Sequence, residues 1–410
     1  MQGLTEGQAL AGRYRLREEL GRGGFGVVWR ARDDEAGRDV AVKYPNYDSD
    51  AGDDLVDRYF EREMAVLSEI QDAGGHPNIV TYLGDGTDDG LPFFVMEYID
   101  GQEAGDLVEG DAVEDPDEIR SIGIGICDAL SFMHDHDIIY RDLKPDNIMV
   151  EADGTPKIID FTTAKGFVPE QGAPAFSSGE GDGDDSTIPG EFKPPELNRG
   201  GTQRQGPWSD VYSVGKLLGF LLVGWVPDDD GVSPTDFGVS APAYLDEIVR
   251  SATQHDRADR YPNASVLRSA LRNRDPSMPE QATLEWLSRE ETWTISPGDS
   301  IGRDHPEGPQ PSVVLADREH RALSAVHCRL DTDDDGTWRV IDTSLNGTYI
   351  SKHDEQRWRR LLSADGQRRQ REAGNSVDGD LAESATLEDG DVIALVDPQY
   401  PERFYFRFSS

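Results

Sequence analysis

IIYRDLKPDNIMV, residues 138–150, decides how this chain is read. Apolar residues (Ile138, Ile139 before; Ile148, Met149, Val150 after) bracket a polar loop. Within it, Asp142 can accept the proton of a hydroxyl. Lys144 can stand near a transferring phosphoryl group and offset its charge, and Asn147 can ligate Mg2+. Further on, KIIDF (157–161) places Asp160 at the end of an apolar, strand-like run as a second metal-facing group. Phosphoryl transfer asks little covalent help of a protein; it needs in-line positioning and charge neutralisation.

Upstream, GRGGFGVV (21–28) sets Gly21, Gly23 and Gly26 between two strand-like segments. Glycines let backbone N–H groups approach phosphate, although a tight hairpin turn explains the same letters equally well when they stand alone. DVAVK (39–43) ends in Lys43, within reach of α- and β-phosphates. DRYFEREMAVLSEI (57–70) has helical spacing and carries Glu63 as a possible partner for that lysine, with Leu67 one turn later.

Together these residues resemble a eukaryotic-type protein kinase over residues 10–275, and the motifs stand in that family's order. The set continues through HPNIV (76–80), VMEYI (95–99), Tyr140-Arg141-Asp142, Asp160-Phe161, Pro194-Pro195-Glu196, Asp210 in SDVYSVG and Arg260 in DRYPNA. The resemblance implies a two-lobed α+β fold that uses ATP with Mg2+ or Mn2+. It implies catalytic roles for Asp142, Lys144, Lys43 and Glu63, and metal ligation by Asn147 and Asp160. Leu20, Val28, Ala41 and Met149 would sandwich the purine beneath Gly21, Gly23 and Gly26. Met96 would be the gatekeeper, with the backbone of Glu97 and Ile99 pairing with adenine. It also implies a packed column of Leu67, Phe161 and Tyr140, a buried Glu196–Arg260 ion pair, and Asp210 holding the catalytic-loop backbone. LKPDN looks like the serine/threonine branch.

Two positions depart from the family pattern. Tyr140 stands where His is commoner, and Thr162 where DFG has Gly; a β-branched residue is stiffer there. The stretch EQGAPAFSSGEGDGDDS (170–186) reads as a Gly- and acid-rich loop. Arg141 before the catalytic Asp is similar to kinases switched by loop phosphorylation, which makes Ser177, Ser178, Ser186 and Thr187 candidates, the last two foremost. His134 and His136 are a weak metal-site candidate and read better as polar residues at a helix end.

PSMPEQAT (276–283) reads as the start of a linker over 276–289. From about residue 290 the text becomes short strands, which indicates an all-β sandwich to residue 410 with an insert at about 351–385. SIGR (300–303), LSAVH (323–327), DTSLNGTYI (342–350) and LEDGDVI (387–393) resemble the forkhead-associated (FHA) family in order. That implies phosphothreonine binding by Arg303, Ser324 and Asn346, with His327 bracing the loops. Ala325 stands where the family often has Arg or Asn, so Arg321 or the insert's arginines are the available substitutes. Residues 352–372 hold seven basic residues against four acidic ones. Arg357, Arg359 and Arg360 read either as a lure for an acidic or phosphorylated segment or, with Trp358, Leu361 and Leu362, as a basic amphipathic helix.

The chain of 410 residues has 80 acidic and 40 basic residues, a formal charge of −40 spread along its length, and only seven of the basic residues are Lys. Such self-repulsion is relieved by salt, and the pattern resembles proteins of salt-accumulating archaea. No basic surface dominates, which speaks against nucleic acid or anionic membrane as partner. With no long apolar run, no leader-like start and two distant cysteines, Cys127 and Cys328, the expected setting is cytoplasmic and reducing. The expected partners are proteins with Ser/Thr hydroxyls, phosphothreonine proteins, and the chain itself through autophosphorylation. The competing reading is a non-catalytic scaffold; a small-molecule phosphotransferase fits the Pro-Pro-Glu segment and its Arg less well.

Overall fold

The computed structural model describes residues 4–108, 113–136, 138–166, 191–197, 206–289, 291–303, 311–315, 323–333, 336–353, 357–375, 377, 381–398 and 405–410. The phosphorylation candidates Ser177, Ser178, Ser186 and Thr187, and Arg321, lie outside them. Two compact units emerge, the second of which takes in residues 261–269 and the chain from Ser277 onward.

In the first unit, strands β1 (Ala9–Leu10), β2 (Tyr14–Arg22), β3 (Gly26–Asp33), β4 (Arg38–Pro45), β5 (Tyr82–Asp88) and β6 (Leu91–Glu97) form one antiparallel sheet in the order β1-β2-β3-β4-β6-β5. Alternation puts Val27, Trp29, Ala31, Val40, Val42, Phe93 and Val95 into one apolar cluster. The other positions carry charges that neutralise each other: Arg13 meets Asp33 at 2.7 Å and Arg30 meets Asp39 at 2.6 Å. Helix α1 (Asp53–Asp72) buries Val56, Tyr59, Phe60, Glu63, Val66, Leu67 and Ile70, the 3–4 spacing of one face. Burying Glu63 among apolar neighbours is the local anomaly that needs a partner.

Past β7 (Gly101–Glu103), helix α2 (Pro116–Asp135) starts where the Asp115 carboxylate accepts the Asp117 N–H and Pro116 sits at the first helical position. Four short strands follow, β8 (Ile138–Ile139), β9 (Ile148–Glu151), β10 (Pro156–Ile158) and β11 (Lys165–Gly166); they pair β10-β9-β7 and β11-β8. Helix α3 (Pro207–Val223) is almost wholly buried and is followed by α4 (Ala243–Ala252) and α5 (Ala264–Asn273). Arg260, with no side-chain exposure, grips Glu196 through two bonds of 3.1 Å, and Ser209 donates to the same carboxylate at 2.8 Å. Among the described residues no helix is long and apolar enough to cross a membrane.

The second unit contains two β-sheets. Its strands are β12 (Ala282–Trp286), β13 (Glu291–Ile295), β14 (Asp299–Arg303), β15 (Val313–Leu315), β16 (Cys328–Thr332), β17 (Trp338–Asp342), β18 (Thr348–Ser351), β19 (Trp358–Leu361), β20 (Ser384–Thr386), β21 (Val392–Ala394) and β22 (Tyr405–Ser409). The orders are β13-β12-β22-β21-β18-β19 and β15-β14-β16-β17-β20. Trp286, Ile301, Leu330, Trp338, Phe406 and Phe408 belong to a single core. Two expectations need correction. The linker expected over 276–289 contains β12, a full partner of β22; its buried–exposed alternation over Ala282–Trp286 outweighs the preceding prolines. The amphipathic helix, one of the two readings of residues 357–362, is not formed: Trp358–Leu361 is β19, paired with β18 so that Leu361 is fully buried, and the insert's helix α6 (Ala364–Glu372) comes later.

Two buried polar residues tie the loops at one end of the sandwich. His327 accepts the Ser324 N–H at 3.3 Å through Nδ1 and donates from Nε2 to the Gly347 carbonyl at 3.2 Å. Asp342 accepts from Thr348 Oγ1 at 2.6 Å, Ser344 Oγ at 2.8 Å and the Ser363 N–H at 3.0 Å. Burial pushes the His327 imidazole from 6.5 down to about 4, so it stays neutral in the fold. Below pH 6.5 the unfolded chain takes up a proton that the folded domain refuses, so stability falls with pH down to about 4, by at most ~3 kcal/mol from this residue. Denaturant unfolding of the full chain should therefore lose less stability between pH 7.5 and 4.5 in His327→Gln than in wild type. Equal losses in the two proteins would refute this account.

Candidate functional site

Lys43 on β4 and Glu63 on α1 are the centre of the kinase-like cleft. Lys43 Nζ lies 2.6 Å from both Glu63 oxygens and 3.7 Å from Asp160 Oδ2. Gly26 makes room for the lysine stem: a Cβ there would sit 2.6 Å from Lys43 Cε. Burial pushes the Glu63 carboxyl up to about 7 against the pull of Lys43. Burial also pushes Asp160 up, but the Lys43 charge and two bonds from Thr162 bring it below the usual carboxylate range, and so it stays ionised. Lys43 is raised, because the two carboxylates outweigh its desolvation.

The catalytic loop is held from beneath. Asp210 Oδ1 accepts the Arg141 N–H at 2.8 Å, and its Oδ2 accepts the Tyr140 N–H at 3.0 Å and faces His134 Nε2 at 2.8 Å. These bonds fix Arg141 at φ +71, a left-handed conformation that costs a non-glycine residue of order 1–3 kcal/mol. Asp142, nearly fully buried, accepts from Asn147 Nδ2 at 2.9 Å and lies 3.4 Å from Lys144 Nζ. Asn147 Nδ2 also donates to the Asp142 carbonyl at 2.8 Å. Its amide is thereby oriented with Oδ1 turned away from Asp142, as an oxygen ligand requires. The Ile159 N–H bonds the Asn147 carbonyl at 3.0 Å, which sets Asp160 beside it. One ionised carboxylate and one amide oxygen are hard donors, and they fit Mg2+ or Mn2+. Among the described residues no cluster of three His, Cys, Asp or Glu suits a metal, and His134 is engaged with Asp210 instead.

Of the nucleotide candidates, Gly21, Gly23 and Gly26 span the β2–β3 turn, with Leu20 and Val28 on its flanks and Leu20 46% exposed. Ala41 faces Met96 across the β4–β6 pair, and Met149 lies on β9 opposite Lys157. The Glu97 N–H is used by the Thr81 carbonyl at 2.9 Å, and its side chain by Thr81 and Lys157; Ile99 is buried next to this hinge. Tyr140 and Phe161 pack edge-on at 5.4 Å, and Leu67 is buried. Several contributors escape sequence reading. Asn46 donates to the Gly23 carbonyl at 2.7 Å, and Phe25 at the glycine turn stacks on Tyr59 at 4.3 Å. Only the polar Asn after a buried strand hinted at the first.

In the second unit the reading-edge candidates are neighbours. The Arg303 N–H bonds the Ser324 carbonyl at 3.1 Å, and Ser324 Oγ accepts the Leu345 N–H at 3.4 Å beside Asn346. Gly302 is required where β14 crosses this loop, since a Cβ would fall 1.9 Å from the Ala325 carbonyl oxygen. The insert reaches the same edge: Arg360 Nη2 donates to the Asn346 carbonyl and Gln370 Nε2 to the Leu345 carbonyl, both at 2.7 Å. Arg13, Arg15, Arg17, Arg22, Arg30 and Arg32 of the first sheet each meet a carboxylate. Arg303 and Arg360 meet none among the described residues, and the Nε of each is buried without a hydrogen-bond partner.

Comparison with known proteins agrees with this geometry. The protein kinase domain family matches residues 14–256, and the FHA domain family matches residues 300–368. The serine/threonine-protein kinase PknB of Mycolicibacterium smegmatis is 33% identical over 288 residues, covering 65% of this chain and 44% of that protein. A probable serine/threonine-protein kinase PknB of Bifidobacterium longum is 31% identical over 287 residues, covering 64% of this chain and 40% of that protein. The serine/threonine-protein kinase PrkC of Bacillus subtilis is 29% identical over 281 residues, covering 65% of this chain and 41% of that protein. The chain thus spans less than half the length of these curated relatives. With more than half of its residues matched by one family, and the lysine, carboxylates and asparagine of that fold brought together, this chain belongs to the protein kinase family, with an FHA domain following its kinase domain.

Proposed function

We propose that the chain is an ATP-dependent protein serine/threonine kinase. It transfers the γ-phosphate to protein Ser/Thr hydroxyls, and its FHA domain binds phosphothreonine segments to recruit substrates or the chain's own autophosphorylated form. The observation that carries this is the joined set Lys43–Glu63–Asp160 beside Asp142–Asn147–Lys144. Glu63 holds Lys43 where it can clamp phosphate. Asp142, oriented by Asn147, accepts the substrate's proton, and Lys144 offsets charge on the moving phosphoryl group. When bound at Asp160 and Asn147, Mg2+ or Mn2+ supplies neutralisation of phosphate charge. A scaffold without catalysis has no need of this complete set. Arg303, Ser324 and Asn346 contact the phosphothreonine peptide, and Arg360, held beside Asn346 by its bond to that residue's carbonyl, compensates for the missing cation at Ala325. We place the activity in the cytoplasm, apart from membrane and nucleic acid.

With labelled ATP and Mg2+, the wild-type chain should phosphorylate itself or a protein acceptor, and Asp142→Asn should be slower by roughly 100-fold or more while still binding ATP. A wild-type chain that neither retains ATP nor labels any polypeptide refutes the kinase reading. A phosphothreonine peptide should bind the full chain in preference to its unphosphorylated form, and Arg303→Ala should weaken it by roughly 10- to 100-fold. Unchanged affinity in that variant would remove the reading edge from the proposal.

The charge of −40 adds a condition: the compact state depends on salt screening. We assign the acidic excess to a salt-rich setting of the haloarchaeal kind. The melting temperature should rise markedly from dilute buffer to molar KCl, and identical curves would contradict the assignment.

A further inference from the structure

Thr162 has no role in the phosphoryl-transfer scheme above, yet it is the residue that joins the scheme's two carboxylates. Its side chain is 5% exposed. Its N–H donates to Asp160 Oδ1 at 2.9 Å, and its hydroxyl lies 2.6 Å from the same oxygen. That hydroxyl is also 3.1 Å from Glu63 Oε2, an oxygen that Lys43 Nζ holds at 2.6 Å. Three distant pieces of chain, β4, α1 and residues 160–162, are thus closed into one ring of hydrogen bonds and ion pairs. A glycine at this position, as in the common pattern, offers the N–H and nothing that reaches α1.

We propose that Thr162 is a positioning residue that locks α1 and Asp160 to one another, so that the lysine clamp and the metal-facing carboxylate are assembled without help from phosphorylation of the 170–186 stretch or Thr187. The β-branched side chain has few χ1 choices, which keeps the hydroxyl aimed. The hydroxyl carries one proton; the shorter contact shows Asp160 receiving it, with Glu63 sharing the contact and relying on Lys43 for the rest of its compensation. Phe161 is fully buried against Tyr140. Displacing it would drag Thr162 away from both carboxylates and leave buried acceptors unsatisfied, a penalty that glycine would not impose. This inference rests on the kinase reading and adds the regulation of its site.

The test uses the full chain, treated with a phosphatase, as wild type and as Thr162→Val, Thr162→Ser and Thr162→Gly. Valine keeps shape and stiffness and removes the hydroxyl; serine keeps the hydroxyl. Calorimetric ATP affinity is measured with and without Mg2+, beside kcat and KM for ATP and for a protein acceptor. The Mg2+-dependent gain in ATP affinity should fall by roughly 10-fold or more in the Val and Gly variants and stay within about two-fold of wild type in the Ser variant. The acceptor's KM should not move. The proposal is overturned if Val or Gly binds ATP with Mg2+ as wild type does, or if Ser is as impaired as Val. A wild type that binds no ATP in either condition overturns the kinase reading itself, and this inference with it.

Discussion

One buried lysine between two carboxylates is the constraint on which the catalytic lobe depends. Lys43 stands between Glu63 and Asp160, and the lysine and Glu63 are almost wholly withdrawn from water. Removing Lys43 would leave two neighbouring carboxylates with no cation between them, the situation in which buried pairs matter most. The two carboxylates shift in opposite directions: at Glu63 burial outweighs the pull of Lys43, whereas at Asp160 the Lys43 charge and the two Thr162 bonds outweigh burial. Gly26 on β3 leaves the space that the lysine stem fills.

The catalytic loop shows the same economy of polar contacts. Arg141 holds a conformation that ordinary residues avoid, and Asp210 opposes that strain with two backbone bonds. In the same loop the Asn147 amide donates to both the carbonyl and the carboxylate of Asp142. Deeper in the same lobe, the Glu196–Arg260 pair is further satisfied by Ser209 and by the Gln254 and His255 carbonyls. A buried pair with this many donors and acceptors filled is stabilising relative to any version that lacks one partner.

The FHA domain solves a related problem with neutral groups. His327 and Asp342 sit fully or nearly fully buried and fasten loops that would otherwise move independently. The insert is not an appendage to this edge: β19 extends a sheet, and α6 sends Gln370 back to Leu345. Among the described residues neither Arg303 nor Arg360 meets a carboxylate, and Arg360 instead reaches the Asn346 carbonyl and the Tyr349 ring.

The sequence alone determined the order of parts: glycine turn, lysine strand, glutamate helix, the Asp142 loop, Asp160 after a short strand, then a sandwich of short strands. Those features are local, because each rests on a spacing of two, three or four residues or on a turn that needs glycine. It also indicated Glu196 with Arg260, though their joining spans 64 residues and only the fold brings them within 3.1 Å. It misjudged Ala282–Trp286 and Trp358–Leu361, because pairing with β22 and β18 outweighs local turn and helix signals. The work of Thr162, Asn46 and Gln370 was decided by tertiary structure alone. A hydroxyl or amide has no periodic signature; its role depends on which distant acceptor the fold carries to within hydrogen-bond reach.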